Sequence, residues 1–353
     1  MAETREEVCI VGAGLAGVGV AYGLRNEPVE VTILEKSRGV GGRAATRRKH
    51  GCRYDHGANY IKDGDDRTDE LVRELGQQGL VDIEEPVWTF DADGEISPGD
   101  RRAAHKWTWT EGITQFAKRV LDRTDATVHR TTRVDGLTRT ADGWTLSDTD
   151  GTDHGPFEAV VLTPPAPQTA DLLASTSVDD AVASETAAAT LDRSTEAVRE
   201  VPFRTIRTVV LQYPFEIDRP YYALVNTDRE HPIGWLARES CKDGHIPDGE
   251  SLLVAQMAPD WSTAHYDDSL DSAADEVAGM VAELLDDDRL AEPGWVDDQG
   301  WRYALPDAGL ADGIAADLRE QSLFLAGDWL VGEGRAHRAF WNGVDAAERI
   351  VDR

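Results

Sequence analysis

The chain has 353 residues, 41% of them hydrophobic, which suits two domains with a sizeable core. Its formal net charge is −30 at pH 7, so nucleic acid would be repelled from most of its surface. No stretch approaches the roughly 18 to 20 unbroken apolar residues of a membrane span, and the acidic N-terminus runs directly into the first predicted strand. We therefore expect no nucleic-acid partner, no signal peptide and no membrane anchor.

The composition also bears on the source and the compartment. Only six of the 36 basic residues are lysine, and the 66 acidic residues are spread along the chain. This predicts an acidic surface that stays soluble in concentrated salt, as in a halophile, with an acidic mesophilic protein as the alternative. The three cysteines have neither metal-binding nor disulfide spacing, which predicts a cytoplasmic protein without a metal site.

Residues 8–35 have the order strand, glycine turn, helix, strand. In a dinucleotide-binding turn the first glycine allows a sharp bend, the second lets the backbone approach a pyrophosphate, and the third lets the helix pack closely. An acid about twenty residues further on accepts hydrogen bonds from a ribose. The predicted nucleotide-binding residues are therefore Gly12, Ala13, Gly14, Leu15, Ala16, Gly17 and Glu35.

A second glycine loop and a third turn follow. The loop begins at Lys36 and ends in Gly-Gly-Arg, and the turn at residues 55–60 reads DHGANY. An acid at the strand end, then Gly-Gly-Arg, then an Asp-x-Gly-Ala turn resembles the FAD signature of the flavin amine oxidase superfamily. The resemblance implies FAD rather than NAD. It implies cofactor contacts by Lys36, Gly41, Gly42, Arg43, Gly57, Ala58 and Asn59.

The middle of the chain contains predicted helices and strands in groups. Helices are predicted at residues 68–79, 107–122, 168–174, 177–190 and 270–285. Strands are predicted at residues 87–90, 126–137, 143–147, 157–162, 208–213, 221–225, 233–238 and 251–256. The prolines at 164, 165 and 167 predict a crossover between domains. In the family that the chain resembles, a backbone pair from the strand after residue 126 reaches the adenine, and Val134 is the matching position.

The C-terminal part carries another motif. Residues 323–328 predict a buried strand ending in Gly327 and Asp328, and residues 339–350 predict a helix that begins at Ala339. This resembles the C-terminal flavin motif, whose aspartate binds ribityl or phosphate hydroxyls and whose helix N-terminus faces the pyrimidine ring. Relatives often have glycine where this chain has Arg338, so that side chain either points away from the flavin or adds charge to it.

Together these motifs predict an α/β fold: a Rossmann-type, glutathione-reductase-like FAD-binding domain with an inserted substrate domain of mostly antiparallel sheet plus helices. We expect the FAD-binding domain at residues 1–64, 108–167 and 318–353, and the substrate domain at residues 65–107 and 168–317. The nucleotide domain is thus assembled from both ends of the chain.

Tracts at residues 160–168, 234–240, 258–267, 301–306 and 326–330 resemble the bacterial renalase-like flavoproteins. The resemblance implies an oxidase that takes hydride from 2- or 6-dihydronicotinamide isomers of NAD(P) onto flavin N5 and passes the electrons to O₂, giving H₂O₂. Asn59 stands where relatives often carry Gln. We expect non-covalent FAD, because no cysteine lies near residues 328–342. The candidate pocket residues are Trp235, Arg238, Trp301, Arg302 and Tyr303.

Three other functions stay open. An amine or polyamine oxidase would frame its substrate between aromatic rings and attract it with acids. A flavin-dependent desaturase or isomerase would need an apolar tunnel, and the chain could also bind flavin without turnover. Arg and Trp in the pocket favour a nucleotide-like donor, Asp and Glu favour an amine, and aliphatic walls favour an isoprenoid.

The net charge yields a prediction about salt. Dense like charge destabilises the compact state by self-repulsion, and the Debye length falls from about 10 Å at 0.1 M salt to about 3 Å at 1 M. We therefore expect the melting temperature, followed by circular dichroism, to rise as NaCl is raised from low to molar concentration. A flat or falling melting temperature would contradict the halophilic interpretation.

Overall fold

The computed structural model describes residues 5–62, 65–99 and 104–353. The chain forms two compact units. The first contains Met1–Arg43, Phe116–Phe203 and Leu305–Arg353, and the second contains Ala44–Gln115 and Arg204–Ala304. No α-helix within the described ranges is both long and apolar enough to cross a bilayer.

The elements are numbered in chain order. The strands are β1 (Glu6–Val11), β2 (Val29–Glu35), β3 (Thr46–Lys49), β4 (Cys52–Asp55), β5 (Ile61–Lys62), β6 (Leu80–Asp82), β7 (Val87–Phe90), β8 (Ile96–Ser97), β9 (Lys106–Trp109), β10 (Thr127–Arg130), β11 (Val134–Thr140), β12 (Gly143–Asp148), β13 (Asp153–Phe157), β14 (Ala159–Leu162), β15 (Thr176–Val178), β16 (Phe203–Tyr213), β17 (Ala223–Asn226), β18 (Ile233–Arg238), β19 (Ser251–Met257), β20 (Trp295–Pro306) and β21 (Leu323–Leu325). The helices are α1 (Leu15–Leu24), α2 (Asp66–Glu74), α3 (Thr114–Leu121), α4 (Ala166–Ala174), α5 (Glu185–Arg199), α6 (Pro259–Ala264), α7 (Leu270–Leu285), α8 (Ile314–Arg319), α9 (Asp328–Val331) and α10 (Ala336–Val351).

A five-stranded parallel sheet forms the centre of the first unit, with the order β10-β2-β1-β14-β21. All four residues of β14 are buried, as expected for a parallel strand that is covered on both faces. The sheet combines strands from both ends of the chain. The predicted Rossmann-type domain is therefore confirmed.

Helices α1 and α10 pack closely through glycines. A Cβ on Gly343 of α10 would lie 2.1 Å from the Ala16 carbonyl oxygen, and a Cβ on Gly19 of α1 would lie equally close to a carbonyl of α10. A Cβ on Gly17 would lie 2.0 Å from the Gly12 carbonyl oxygen. Glycine is thus required at these positions because backbone occupies the space of a side chain.

The predicted strand at residues 126–137 is wrong as one element. The backbone turns at Thr131, whose φ is +58°, and this turn divides the segment into β10 of the parallel sheet and β11 of a separate sheet ordered β13-β12-β11-β15. The helix predicted at residues 177–190 is displaced as well. Residues 176–178 form β15, and α5 begins at Glu185.

The unit boundaries differ from the predicted domain boundaries. Residues 168–203 lie in the first unit, although the nearby prolines predict a crossover before them. Pro165 is the N-cap of α4 and Pro167 lies in its first turn, so these prolines start a helix that stays in the unit. Leu173 of α4 and Leu191 of α5 belong to the same hydrophobic core as the parallel sheet. The other boundaries fall at residues 43, 115 and 304.

A seven-stranded sheet dominates the second unit, with the order β20-β16-β19-β18-β17-β7-β8. The neighbours from β16 to β17 are antiparallel, whereas β17 and β7 are parallel. Helix α7 has the predicted bounds, and its apolar residues, including Val277 and Val281, pack in the core of this sheet. The predicted mostly antiparallel substrate domain is therefore confirmed.

The strands β20 and β9 of this unit lie where the sequence predicts no strand. β20 mixes acids, glycine and aromatic residues, so no apolar run marks it, yet it forms an edge of the large sheet and contains Trp301 and Tyr303. β9 occupies residues 106–109, where a helix was expected from residue 107. That expectation is wrong because Trp107 and Trp109 are buried in a strand paired with β6, and α3 begins only at Thr114.

The glycine contact between α1 and α10 is testable. We expect Gly343→Ala to lower the free energy of unfolding by about 1–3 kcal/mol, because the added Cβ would overlap the Ala16 carbonyl oxygen. Gly279→Ala in α7 is the matched control, since its Cβ meets nothing within 4 Å, and we expect it to gain about 0.5–1 kcal/mol. Urea unfolding measures both variants, and equal stabilities would contradict the contact.

Candidate cofactor and substrate sites

The first glycine turn leaves open space beside the start of α1. Gly14 is the N-cap of α1, and a Cβ on Gly14 would meet nothing within 4 Å. Gly12 has a φ of +101°, which favours glycine, and Gly42 of the second loop lies against Gly14. Because the first amides of a helix lack intrahelical partners, this position suits a diphosphate. The buried residues Leu15 and Ala16 begin the helix.

Glu35 fastens the two glycine loops with its carboxylate. It is 6% exposed, and its Oε2 accepts a hydrogen bond from the Ala13 amide at 2.7 Å while Oε1 accepts one from the Ser37 amide at 2.6 Å. The Ala13 amide is therefore engaged within the protein. Each carboxylate oxygen has a further lone pair, so ribose hydroxyls can still donate to Glu35. Lys36, the next residue, is exposed.

The second loop and the C-terminal motif meet in the same unit. The Gly41 amide donates to the Ala13 carbonyl at 2.8 Å. The Arg43 guanidinium donates to Asp328 Oδ1 at 2.7 Å, and the side chain of Asp328 is only 5% exposed. The Gly327 amide donates to an amide oxygen of α10. Residues that lie 285 positions apart in sequence are thus brought together by the fold.

The predicted start of the C-terminal helix needs a correction, while the cofactor contacts predicted for Ala339 and Val134 stay predictions. Helix α10 begins at Ala336, and the Ala339 amide already donates to the Arg335 carbonyl at 3.0 Å, so the amides at the helix start precede Ala339. Arg338 is exposed in the first turn, and its guanidinium pairs with Glu333 at 2.9 Å. Val134 is buried at the start of β11.

In the second unit, three side chains hold the DHGANY turn through its carbonyls. The His56 carbonyl accepts hydrogen bonds from Thr208 at 2.9 Å and from the Trp301 indole at 3.1 Å. The Gly57 carbonyl accepts one from Gln256 at 2.6 Å. Trp301 is therefore adjacent to the turn. The sequence does not predict the roles of Thr208 and Gln256, because a polar residue within an apolar strand has no local feature that links it to a distant turn.

A fully buried charge cluster anchors the start of this turn. Lys242 donates to Asp55 at 2.9 Å and to Glu239 at 2.7 Å, and His245 Nδ1 lies 2.8 Å from the other oxygen of Glu239. His245 Nε2 lies 2.9 Å from the Trp109 carbonyl, which can only accept a hydrogen bond. The hydrogen on Nε2 is therefore used in that bond, and a separate proton lies between His245 Nδ1 and Glu239. The His245–Glu239 pair and the Lys242–Asp55 pair are each neutral, so the cluster has no net charge.

The cluster shifts the pKa values of its members. Burial alone would raise the pKa of Asp55, but the charges of Lys242 and His245 outweigh burial and hold the pKa below its usual value. Burial would lower the pKa of Lys242, but Asp55 and Glu239 outweigh it and raise the pKa. The carboxylates and His245 have metal-ligand geometry, with ligand atoms within 4.8 Å of one another, but the cation between the two carboxylates is the ammonium of Lys242.

The sequence offers one signal for this cluster. The chain has only six lysines, and one of them follows a buried strand three residues after a glutamate. Lysine is rare in this acidic protein, so a lysine directly after a buried strand and close to a glutamate favours a paired, buried ammonium. The aspartate of the DHGANY turn has no sequence feature that links it to Lys242.

The candidate pocket residues fall into two groups. Arg238 is 8% exposed, and its guanidinium donates to the carbonyls of Ile217, Arg219 and Tyr221 at 2.7–2.9 Å. It therefore holds the segment before β17, and its prediction as a catalytic residue is replaced by a structural role. Trp301 and Tyr303 share one face of β20, whereas Arg302 projects from the other face over Tyr266.

Trp235 lies in an aromatic group that the sequence does not reveal. Its ring centroid is 6.5 Å from that of Tyr60 and 6.2 Å from that of Tyr222, and the two tyrosine rings are 6.2 Å apart. We call Tyr60, Tyr222 and Trp235 the aromatic trio. Tyr222 also faces the charge cluster, because Lys242 Nζ lies 5.8 Å from its ring centroid.

Comparison with protein families gives two matches. The model of an NAD(P)-binding Rossmann-like domain matches residues 10–75. The model of the flavin-containing amine oxidoreductases matches residues 88–351, which is most of the chain. The chain belongs to the flavin-containing amine oxidoreductase family. As a member of this family the protein has FAD as its cofactor. The open space beside Gly14, the buried carboxylate of Glu35 and the Arg43–Asp328 pair fit the dinucleotide.

Individual relatives match parts of the chain. Protoporphyrinogen oxidase 2 of Arabidopsis thaliana is 32% identical over 71 residues, which cover 20% of this chain and 14% of the relative. Polyamine oxidase 4 of rice, Oryza sativa subsp. japonica, is 38% identical over 73 residues, covering 21% of this chain and 15% of the relative. The matches thus span less than a sixth of the length of these two relatives.

A solved structure shows the same fold over nearly the whole chain. Wild-type putrescine oxidase bound to putrescine has a TM-score of 0.74 and 13% identity, with 99% of both chains covered. The renalase-like subgroup and the halophilic source are not decided by these comparisons. They stay predictions.

The double task of Glu35 leads to a prediction about FAD affinity. In Glu35→Gln an amide NH₂ would oppose a backbone N–H, and the ribose would lose a charged acceptor, so we expect FAD to bind roughly tenfold to hundredfold more weakly. Glu30→Gln, at an exposed position of the same strand, is the control. Titration of the apoprotein with FAD measures both dissociation constants. An unchanged constant in Glu35→Gln would exclude Glu35 as a ribose ligand.

Proposed function

We propose that the protein is a renalase-like, FAD-dependent oxidase that oxidises 2- or 6-dihydronicotinamide isomers of NAD(P). The tracts that resemble renalase-like proteins include β18 with the turn after it, helix α6 and the end of β20. These elements carry Trp235, Glu239 and Trp301, which belong to the aromatic trio, the charge cluster and the DHGANY contacts. Each of these three groups of the second unit therefore contains one residue of the subgroup tracts.

This proposal rests on the aromatic trio, which lies next to two carboxylates whose charges are neutralised by neighbouring cations. Tyr60 and Trp235 are partly exposed and offer aromatic rings for a nicotinamide ring, while the fully buried Tyr222 packs against both. The nearby carboxylates Asp55 and Glu239 are both neutralised by Lys242 and His245. Such carboxylates do not attract a cationic amine, because their field is cancelled at short range. An uncharged dihydronicotinamide ring is therefore better matched than an ammonium.

The reaction needs little acid–base chemistry from the protein. Bound FAD supplies a two-electron acceptor, which O₂ reoxidises to give H₂O₂. The substrate loses a hydride from ring carbon 2 or 6 and becomes the aromatic nicotinamide. The contribution of the chain is to hold the dinucleotide of FAD in the first unit and to orient the substrate ring in the second. Good orientation places the reacting atoms within about 3–3.5 Å of each other.

One observation favours the alternative of an amine or polyamine oxidase. The half-buried Glu85 hydrogen-bonds the Cys241 thiol, and Cys241 packs with the aromatic trio. Burial, together with this carboxylate, raises the pKa of Cys241 to about 12, so the thiol stays neutral. A neutral thiol does not cancel the charge of the carboxylate that it hydrogen-bonds, and a carboxylate beside aromatic rings can attract an ammonium.

Single-turnover reduction separates the two functions. We expect rapid anaerobic loss of flavin absorbance with 2- or 6-dihydronicotinamide isomers, slow loss with ordinary NADH or NADPH, and none with putrescine or other amines. The physical reason is that moving the hydride from ring position 4 to position 2 or 6 shifts it by more than the tolerance of about 0.5 Å for productive geometry.

Glu85→Gln is the control for the alternative. It should leave reduction by the dihydronicotinamide isomers unchanged, since the neutral ring does not depend on that charge. Fast reduction by an amine that is lost in Glu85→Gln, with no response to the isomers, would overturn the proposal in favour of amine oxidation.

After turnover, acid precipitation should release FAD into the supernatant, and flavin retained in the pellet would contradict non-covalent binding.

A further inference from the structure

The hairpin formed by β3 and β4 carries concentrated positive charge in an otherwise acidic chain. Residues 44–54 contain no acid and four bases, which are Arg47, Arg48, Lys49 and Arg53, whereas the whole chain has 66 acids and 36 bases. The hairpin lies within the second unit. Its bases therefore need partners from elsewhere in that unit or from a ligand.

One face of the hairpin finds its partners within the protein. Arg47 pairs with Asp297 at 2.7 Å. Lys49 donates to the Val296 carbonyl at 2.9 Å, and its ammonium lies 5.1 Å from the ring centroid of Trp295. Because side chains alternate along a strand, Arg48 projects from the opposite face.

Arg48 and Arg53 lie directly opposite each other across the two strands. The Arg53 amide donates to the His245 carbonyl at 2.8 Å and not to β3, so this is the kind of cross-strand pair whose side chains are closest. Like charges in such a position destabilise a hairpin. Within the described ranges neither guanidinium forms an ion pair with a carboxylate, so the charge of the pair is uncompensated.

The two guanidinium groups reach the same small area of surface. Arg48 donates to the Glu111 carbonyl at 2.9 Å, and Arg53 donates to the Gly244 carbonyl at 2.9 Å. These carbonyls belong to touching segments, because a Cβ on Gly244 would lie 3.4 Å from the Thr110 carbonyl oxygen. Both hydrogen bonds are exposed, and each guanidinium has five N–H donors, so further donors of the pair are available to a ligand from solvent.

We infer that Arg48 and Arg53 bind a phosphate group on this face of the hairpin. Two guanidiniums supply two positive charges, and a phosphate group carries a charge of about −1.5 to −2 at pH 7, whereas a carboxylate carries only one negative charge. The fork of N–H donors on arginine also matches phosphate oxygens in pairs. The exposed carboxylate of Glu111 opposes an anion here, so its removal should strengthen binding. This inference does not depend on the proposed function.

Isothermal titration calorimetry of the holoenzyme with inorganic phosphate tests the inference. The titration is done in about 0.1 M NaCl, because exposed charges are screened more strongly at higher salt. Arg48→Gln and Arg53→Gln should each weaken phosphate binding by roughly tenfold or more. Arg53→Lys keeps the charge but loses the planar fork, so it should weaken binding less than Arg53→Gln. Glu111→Gln should strengthen it.

Arg25→Gln is the matched control. Arg25 is exposed and also donates to a backbone carbonyl, that of Tyr22, so its replacement removes the same charge and the same kind of hydrogen bond at a different place. This variant should leave the affinity for phosphate unchanged. Equal weakening in Arg25→Gln and Arg53→Gln would show a general effect of net charge and would overturn the inference.

Two further ligands define what the site takes. Acetate should bind more weakly than phosphate, and equal affinities, or no detectable binding of phosphate, would also overturn the inference. Methyl phosphate separates the two sources of the group. Binding of both phosphates, each weakened in Arg53→Gln, would assign the site to the phosphate group of an organic molecule, whereas binding of inorganic phosphate alone would assign it to the inorganic ion.

Discussion

The second unit depends on the compensation of buried charge around Lys242. Two carboxylates, Asp55 and Glu239, lie in a region from which solvent is excluded, and the ammonium between them makes their burial possible. Removing one partner of such a pair typically costs about 3–5 kcal/mol, because the remaining charge is left uncompensated. The DHGANY turn starts at Asp55, so its position follows from this cluster. The aromatic trio is linked to the same ammonium through the ring of Tyr222.

In the first unit the carboxylate of Glu35 holds two loops in place, as the charge cluster holds the DHGANY turn in the second unit. Glu35 accepts hydrogen bonds from amides of both glycine loops, and the Arg43–Asp328 pair joins the second loop to the C-terminal motif. These contacts shape a dinucleotide site from segments that are distant in sequence. Because glycines allow backbone to approach backbone at Gly17 and Gly343, the helices that frame the site can pack closely on the turn.

The choice of substrate depends on how charge and hydrogen-bonding groups are distributed near the trio. The acids of the charge cluster are neutralised, which favours an uncharged ring, while Glu85 beside Cys241 keeps open the attraction of an amine. The indole N–H of Trp235 has no hydrogen-bond partner among the described residues, and it bears on this choice because an ammonium cannot accept its hydrogen bond. Members of one flavin family can thus differ in substrate through a few polar atoms, without a change of fold.

The sequence by itself determined the nucleotide domain, because glycine spacing, strand ends and the acid of β2 are local features with strong backbone requirements. It also predicted the antiparallel sheet and the bounds of α7 through local apolar periodicity. Only the tertiary structure decided that Arg238 serves three backbone carbonyls, that Trp235 joins Tyr60 and Tyr222, and that Lys242 neutralises Asp55 and Glu239. Side chains that lie up to about 190 positions apart make these contacts, and whether a charged or aromatic residue is paired depends on its neighbours in space, which no local pattern encodes.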